Sequence, residues 1–205
     1  MPRTPTRRLL FVFLSVLASA CLYLFPSETS QSVRQDKIQV ANSETLVVQR
    51  VVDGDTLILS NGEKARLTGI DTPESHANAK AYKDSQRSGQ DIKEISRQGK
   101  EATEFVRHLA QGKTIRVEYD VQKRDRYGRL LIYAYDIDTL KKDSKAKISD
   151  GLVVSADREI FLNGSIIRSG YAVPLTIPPN VKHAETFQEL YSEARSQGRG
   201  LWASK

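Results

Sequence analysis

The rhythm of apolar and polar positions changes along this chain, and each change marks an element. Between Leu46 and Ile70 the apolar runs are short and rich in β-branched residues: Leu46-Val47-Val48 with Val51-Val52, then Thr56 to Leu59, then Lys64 to Ile70. Asp53-Gly54-Asp55 and Ser60-Asn61-Gly62 punctuate them with turn chemistry, at the spacing of a β-meander. Thr114 to Asp120 and Leu130 to Ile137 predict two further strands. Between the two groups the period lengthens. Ala102, Phe105, Val106, Leu109 and Ala110 recur at helical spacing before Gly112, an apolar stripe followed by its stop signal. Phe187, Leu190, Tyr191 and Ala194, ending at Gly198, predict a second helix, and Leu162 to Ser169 before Gly170 a short third one.

Two stretches break this plan. His76 to Gln98 is polar, with Tyr82, Ile92 and Ile95 its larger apolar residues, and Lys141 to Ser155 is lysine-rich and aperiodic. Both read as surface insertions, which loops accept readily. Five strands with about three appended helices make an α+β domain over residues 45–203. Its natural closure is a small five-stranded Greek-key barrel of the OB type.

The N-terminus follows another logic. Arg3, Arg7 and Arg8 precede an unbroken apolar or small run from Leu9 to Ala20, ending Ala18-Ser19-Ala20, which is the layout of an export signal. Three outcomes stand open for residues 1–25: cleavage after Ala20, lipid attachment at Cys21, or retention as a membrane anchor, since Leu22 to Phe25 extends the run. Residues 26–44 are polar, lack periodicity and read as a tether.

Charge adds less than its total suggests. The 205 residues carry 31 Lys and Arg against 25 Asp and Glu, a formal +6 that invites a polyanion. Without the three N-terminal arginines, 28 bases face 25 acids. The one cysteine, Cys21, lies in the N-terminal run, so the domain has neither an intramolecular disulfide nor a thiolate metal site. With 39% hydrophobic and 27% charged residues, the composition excludes a disordered or multi-span chain.

The candidate chemistry lies at Asp53-Gly54-Asp55-Thr56, Arg66, Asp71-Thr72-Pro73-Glu74 and Asp125-Arg126-Tyr127-Gly128-Arg129. Calcium takes all-oxygen shells of about six to eight ligands, so Asp55, Asp71 and the Thr72 carbonyl can supply part of one and leave room for water and a phosphate oxygen. Phosphoryl transfer needs a positioned nucleophile and neutralised phosphate oxygens more than covalent help from protein. Glu74 is a candidate to orient or deprotonate a water. Arg66 and Arg129 offer planar forks that stay charged at any working pH.

Taken in order, Val-Val-Asp-Gly-Asp-Thr, an Arg eight residues before Glu, Asp-Thr-Pro-Glu and Asp-Arg-Tyr-Gly-Arg resemble the motif set of the staphylococcal nuclease family. Asn163, Gly170 and Gly200-Leu201-Trp202 match its C-terminal part. The resemblance covers about Leu46 to Trp202, apart from the two insertions. It implies Asp55, Asp71 and the Thr72 carbonyl on calcium, with Asp53 behind them. It also implies Arg66, Glu74 and Arg129 as the catalytic group of a nuclease acting on DNA and RNA, single- or double-stranded, to leave 3′-phosphate ends. Tyr127 is the candidate substrate contact. Where the family prototype has two tyrosines against the nucleotide, this chain reads Val173-Pro174-Leu175-Thr176-Ile177-Pro178.

Simpler readings compete residue by residue. Asp-Gly-Asp alone is more often a solvated turn. His76, His108 and His183 fit no shared motif and read as exposed or packing residues, Trp202 as an anchor for the last helix, and Lys141 to Lys147 as a solvated loop. At the level of the molecule, the competitors are a non-catalytic OB module that binds nucleic acid or protein and a membrane-tethered scaffold. Neither requires the full set of carboxylates and arginines.

Overall fold

A computed structural model describes residues 43–142 and 149–203. The export segment at 1–25, the tether up to residue 42 and residues 143–148 of the second insertion lie outside the described residues. The strands are β1 (Ser43–Asp53), β2 (Thr56–Leu59), β3 (Lys64–Leu67), β4 (Ile70–Asp71), β5 (Thr114–Glu118), β6 (Leu130–Asp136), β7 (Ile160–Phe161) and β8 (Val173–Pro174). β1 pairs antiparallel with both β2 and β5, β2 with β3, and β5 with β6. Parallel pairing of β3 with β6 then closes the ring. The result is the expected five-stranded barrel, which leaves its members no free edge along the closed seam. β7 extends β6 outside the ring, and β4 pairs with β8 in a separate two-stranded ribbon.

Side-chain alternation fills the barrel. Val48, Val51, Leu57, Leu59, Ala65, Leu67, Ile115, Val117 and Ile132 are all buried. Val48 and Val51 are three residues apart, which on a regular strand would put them on opposite faces. A register shift between Val48 and Arg50 inserts one extra residue, so both valines face inward. The expected strand from Lys64 to Ile70 divides at Thr68-Gly69, and its last residue becomes β4.

The helices are α1 (Ala79–Ser88), α2 (Ile92–Ala110), α3 (Thr139–Lys142), α4 (Leu162–Arg168) and α5 (Ala184–Ser196), followed by a 3-10 turn at Gly200–Trp202. The three expected helices are α2, α4 and α5. α2 starts ten residues before its expected stripe because Asp91 caps it, accepting from the Lys93 N–H at 2.9 Å. It buries Ile95, Gly99, Ala102, Thr103, Val106 and Ala110, packs on β1, and stops where Gly112 takes φ +78°. Asn163 of α4 is fully buried. Its Oδ1 accepts from the Ala134 N–H at 3.0 Å, and its Nδ2 donates to the Thr68 carbonyl at 2.9 Å, tying α4 to β6 and to the corner after β3. His183 packs among Tyr133, Phe161 and Phe187. Trp202 meets Tyr191 of α5 edge-on, as an anchor for that helix should.

Candidate active site

The turn after β1 brings the first carboxylates into place. Asp53, the last residue of β1, accepts from the Gly54 N–H at 2.9 Å and from the Thr103 hydroxyl of α2 at 3.0 Å. Burial raises its pKa above the usual carboxylate range despite the Gly54 hydrogen bond, and the neighbouring Asp55 charge adds to the rise. Gly54 has no room for a side chain, because a Cβ there would lie 2.7 Å from Thr72 Oγ1. That close approach joins the turn to β4. Asp55, buried, accepts from Thr56 Oγ1 at 3.0 Å and from Thr72 Oγ1 and N–H at 3.3 and 3.4 Å, and pairs with Arg66.

Arg66 projects from β3 between the two aspartates. One Nη engages Asp55; the other donates to Asp71 Oδ1 at 2.9 Å and to the Ile70 carbonyl at 3.2 Å. A fork held from two sides in this way is preorganised. Asp71 Oδ1 is shared with the Lys80 ammonium at 3.1 Å. Lys80 also donates to the Thr72 carbonyl and pairs with Glu74 Oε1, each at 2.9 Å, while Asn78 Nδ2 donates to Glu74 Oε2 at 2.6 Å. Glu74 is partly buried, which works against its ionisation. The hydrogen bonds from Lys80 and Asn78 outweigh that burial, and its pKa lies below the usual carboxylate value.

Arg129 comes from the tight turn before β6. Asp125 folds that turn, accepting from the Tyr127 and Arg129 N–H groups at 2.9 and 3.0 Å. It also grips Arg129 Nε at 2.7 Å, which leaves the Nη atoms as the donors Arg129 can offer. Tyr127, 69% exposed, has the Arg126 and Arg129 guanidinium carbons 4.9 and 5.6 Å from its ring centroid. Arg66, Asp71, Glu74, Lys80, Arg129 and Tyr127 together line one cleft of about 730 Å³, to which Leu175 and Ile177 also contribute.

All the sequence-predicted residues therefore gather at one end of the barrel. Asp55, Arg66, Asp71 and Thr72 are joined by direct contacts, and Lys80 links Asp71 and Thr72 to Glu74; Arg129 and Tyr127 line the same cleft as Arg66, Asp71, Glu74 and Lys80. Asp53 flanks this group beside Asp55, bonded to Thr103 of α2. Sequence reasoning missed Lys80 and Asn78, because a polar stretch with no apolar period gives no sign that its first helical turn reaches the site. It also left Asp125 without a role, although an aspartate four residues before an arginine in a turn motif is a readable pairing.

A match to the family model described as staphylococcal nuclease homologue extends over residues 64–204. The chain belongs to that family. Among its relatives are a thermonuclease of Staphylococcus hyicus, 28% identical over 170 residues (80% of this chain, 79% of the relative), and a thermonuclease of Staphylococcus intermedius, 27% identical over 165 residues (78% and 76%). The Bacillus subtilis (strain 168) endonuclease YncB is 29% identical over 162 residues (77% and 61%). As in the family motif, the nuclease-like site of this chain offers a hard cation an all-oxygen set, two aspartates and a backbone carbonyl without nitrogen or sulfur. Among the described residues no three His, Cys, Asp or Glu side chains are grouped as a ready metal cage. Asp71, the Thr72 carbonyl and Glu74 instead turn their oxygens to one cationic group, the Lys80 ammonium.

Proposed function

We propose that this chain is an exported, calcium-dependent nuclease that hydrolyses phosphodiester bonds in DNA and RNA, leaving 3′-phosphate ends, and that it acts as a monomer. The coarser part rests on family membership: the chain is a nuclease, an enzyme that hydrolyses phosphodiester bonds in nucleic acid. One observation carries the finer reading. Arg66, Glu74 and Arg129 line a single cleft with Asp71, and Asp55 is fastened behind Arg66.

In this reading Arg66 and Arg129 bracket the scissile phosphate. Arg66 is aimed by Asp55, Asp71 and the Ile70 carbonyl, and Arg129 by Asp125, so neither fork has to be ordered when charge develops on the phosphate oxygens. Glu74, ionised at neutral pH, orients a water and takes its proton as the water attacks in line with the departing 5′ oxygen. Asp55, Asp71 and the Thr72 carbonyl would hold calcium, which when bound neutralises a phosphate oxygen as a Lewis acid. Tyr127 offers an exposed ring for a base. The segment Val173 to Pro178 stands where the prototype has tyrosines, and its Leu175 and Ile177 line the cleft, replacing aromatic stacking, worth roughly 1–3 kcal/mol per base, with weaker aliphatic contact.

The test is incubation of the purified protein with single-stranded DNA, with calcium, with excess chelator and with zinc. Cleavage with calcium, abolished by chelator and poorly restored by zinc, is expected, because zinc favours compact sites with nitrogen or sulfur ligands. Product ends should accept a new 5′ label without phosphatase treatment. Full activity in chelator rejects the calcium reading, and tight DNA binding without cleavage under all conditions favours the binding module.

A further inference from the structure

Lys80 lies in the stretch whose composition predicts only a surface insertion, yet three oxygens surround its ammonium. The Thr72 carbonyl and Glu74 Oε1 lie 2.9 Å from Nζ and Asp71 Oδ1 3.1 Å. The backbone imposes this placement. Asn78 caps α1, its Oδ1 accepting from the Lys80 and Ala81 N–H groups at 2.9 Å each, while its Nδ2 holds Glu74. Ala81, the next residue, is fully buried, so the first turn of α1 cannot slide. An exposed ion pair engages one carboxylate and contributes little. Here two carboxylates and a carbonyl converge on one cation.

We propose that Lys80 is a built-in cation that occupies the metal position of this site, so that calcium binds only by displacing it. The inference rests on the calcium reading given above. Two of the three oxygens around the ammonium, those of Asp71 and Thr72, belong to the set that would hold calcium. Calcium takes oxygens at about 2.3–2.6 Å, closer than these ammonium contacts, and cannot share their focus with Nζ. Even a partial retreat of the lysine leaves like charges a few ångströms apart, so competition persists in the same direction. Arg66 also pairs with two of the proposed ligands, Asp55 and Asp71, but Lys80 alone of the two cations holds the Thr72 carbonyl and Glu74 as well.

Displacement has a second consequence. Both Glu74 oxygens are engaged, one by Lys80 and one by Asn78. Expelling Lys80 frees Oε1 to accept from a water, so cation entry and release of the base are one event. Lys80 is thus a positioning residue: at rest it holds the carboxylates in place of the metal and keeps Glu74 occupied.

The experiment titrates calcium into the full-length chain and into Lys80→Met by calorimetry, at fixed ionic strength and without nucleic acid. Methionine keeps an unbranched apolar stem and removes the charge. Because apparent affinity falls in proportion to the competent fraction, a lysine docked nine-tenths of the time costs about tenfold, and Lys80→Met should bind calcium at least about tenfold more tightly. In the unmodified protein, saturating calcium should speed reductive methylation of Lys80, read by peptide mass spectrometry, and this measurement stands even if the variant folds poorly. Equal or weaker calcium binding by a folded Lys80→Met, or Lys80 methylation indifferent to saturating calcium, overturns the proposal and leaves the calcium reading intact. Failure of both proteins to bind calcium overturns both.

Discussion

Glu74 and Arg129 lie in one cleft but are held by different means, and the difference decides how each is tested. Glu74 is fixed through both oxygens, so Glu74→Gln keeps the shape and part of the hydrogen bonding while removing the base. Arg129 is held through Nε alone, so Arg129→Lys keeps the charge but loses both the Asp125 clamp and the planar fork. Both residues are proposed to act on the transition state, and losing such an interaction lowers kcat while leaving ground-state affinity nearly intact. Cleavage should therefore fall in both variants, for Arg129→Lys on the order of 10³-fold as for other phosphate-clamping arginines, with single-stranded DNA binding retained. Circular dichroism and Tm near those of the parent protein are the controls. A folded variant that cleaves within a few-fold of the parent shows that its residue was assigned wrongly.

At the scale of elements, α2 supports the site through an approach that only glycine permits. A Cβ on Gly99 would lie 2.2 Å from the Glu74 carbonyl carbon and 2.5 Å from the Ser75 nitrogen, both backbone atoms that cannot rotate aside. Gly99→Ala improves helix propensity by about 1 kcal/mol. Overpacking typically costs about 1–3 kcal/mol, and a clash with backbone this close belongs at the upper end, so the clash wins. The expected outcome is a lower Tm and a loss of cleavage larger than the stability change explains, because Glu74 moves with its backbone; an unchanged or raised Tm with full activity contradicts this. Gly99 was not legible in the sequence, since a glycine inside a helical pattern carries no mark of what it faces. The five barrel strands were legible because turn residues bound their apolar runs, and α2 because of its stripe, whereas the two-residue strands β7 and β8 were not. The start of β1 at Ser43 was not legible either, since Glu44 and Thr45 are exposed and are placed by pairing with β5 and by the Tyr119 hydroxyl rather than by an apolar pattern. α1 was hidden for the same reason: Ala81 is its only buried residue, and Asn78 and Lys80 hold it in place. Parallel closure of β3 on β6 joins segments about 65 residues apart, beyond the reach of any local period. The motif residues were named in advance, whereas the cation held among them was not.

At the scale of the whole molecule, every proposed site residue lies beyond β1 except Asp53 at its very end, and the export reading rests on residues 1–25 alone. Among the described residues no helix is long and apolar enough to cross a membrane. A fragment of residues 42–205 should therefore keep the full barrel and cleave single-stranded DNA within a few-fold of the full chain. Starting at residue 45 should cost stability, because it removes the Ser43–Glu118 and Glu44–Val117 pairs and the hydrogen bond from Tyr119 to Glu44 at 3.1 Å. At about 0.5–1.5 kcal/mol per hydrogen bond, the loss amounts to several degrees in Tm for a domain of this size. The site itself does not include these residues, so the shorter fragment should still cleave below its Tm. Export should divide the three chains in the opposite sense: in a fractionated native host the full chain reaches the envelope or the medium, while both fragments stay in the cytoplasm. Accumulation of the full chain in the cytoplasm, with none in envelope or medium, contradicts the targeting assignment, whatever the fragments do in the cleavage assay.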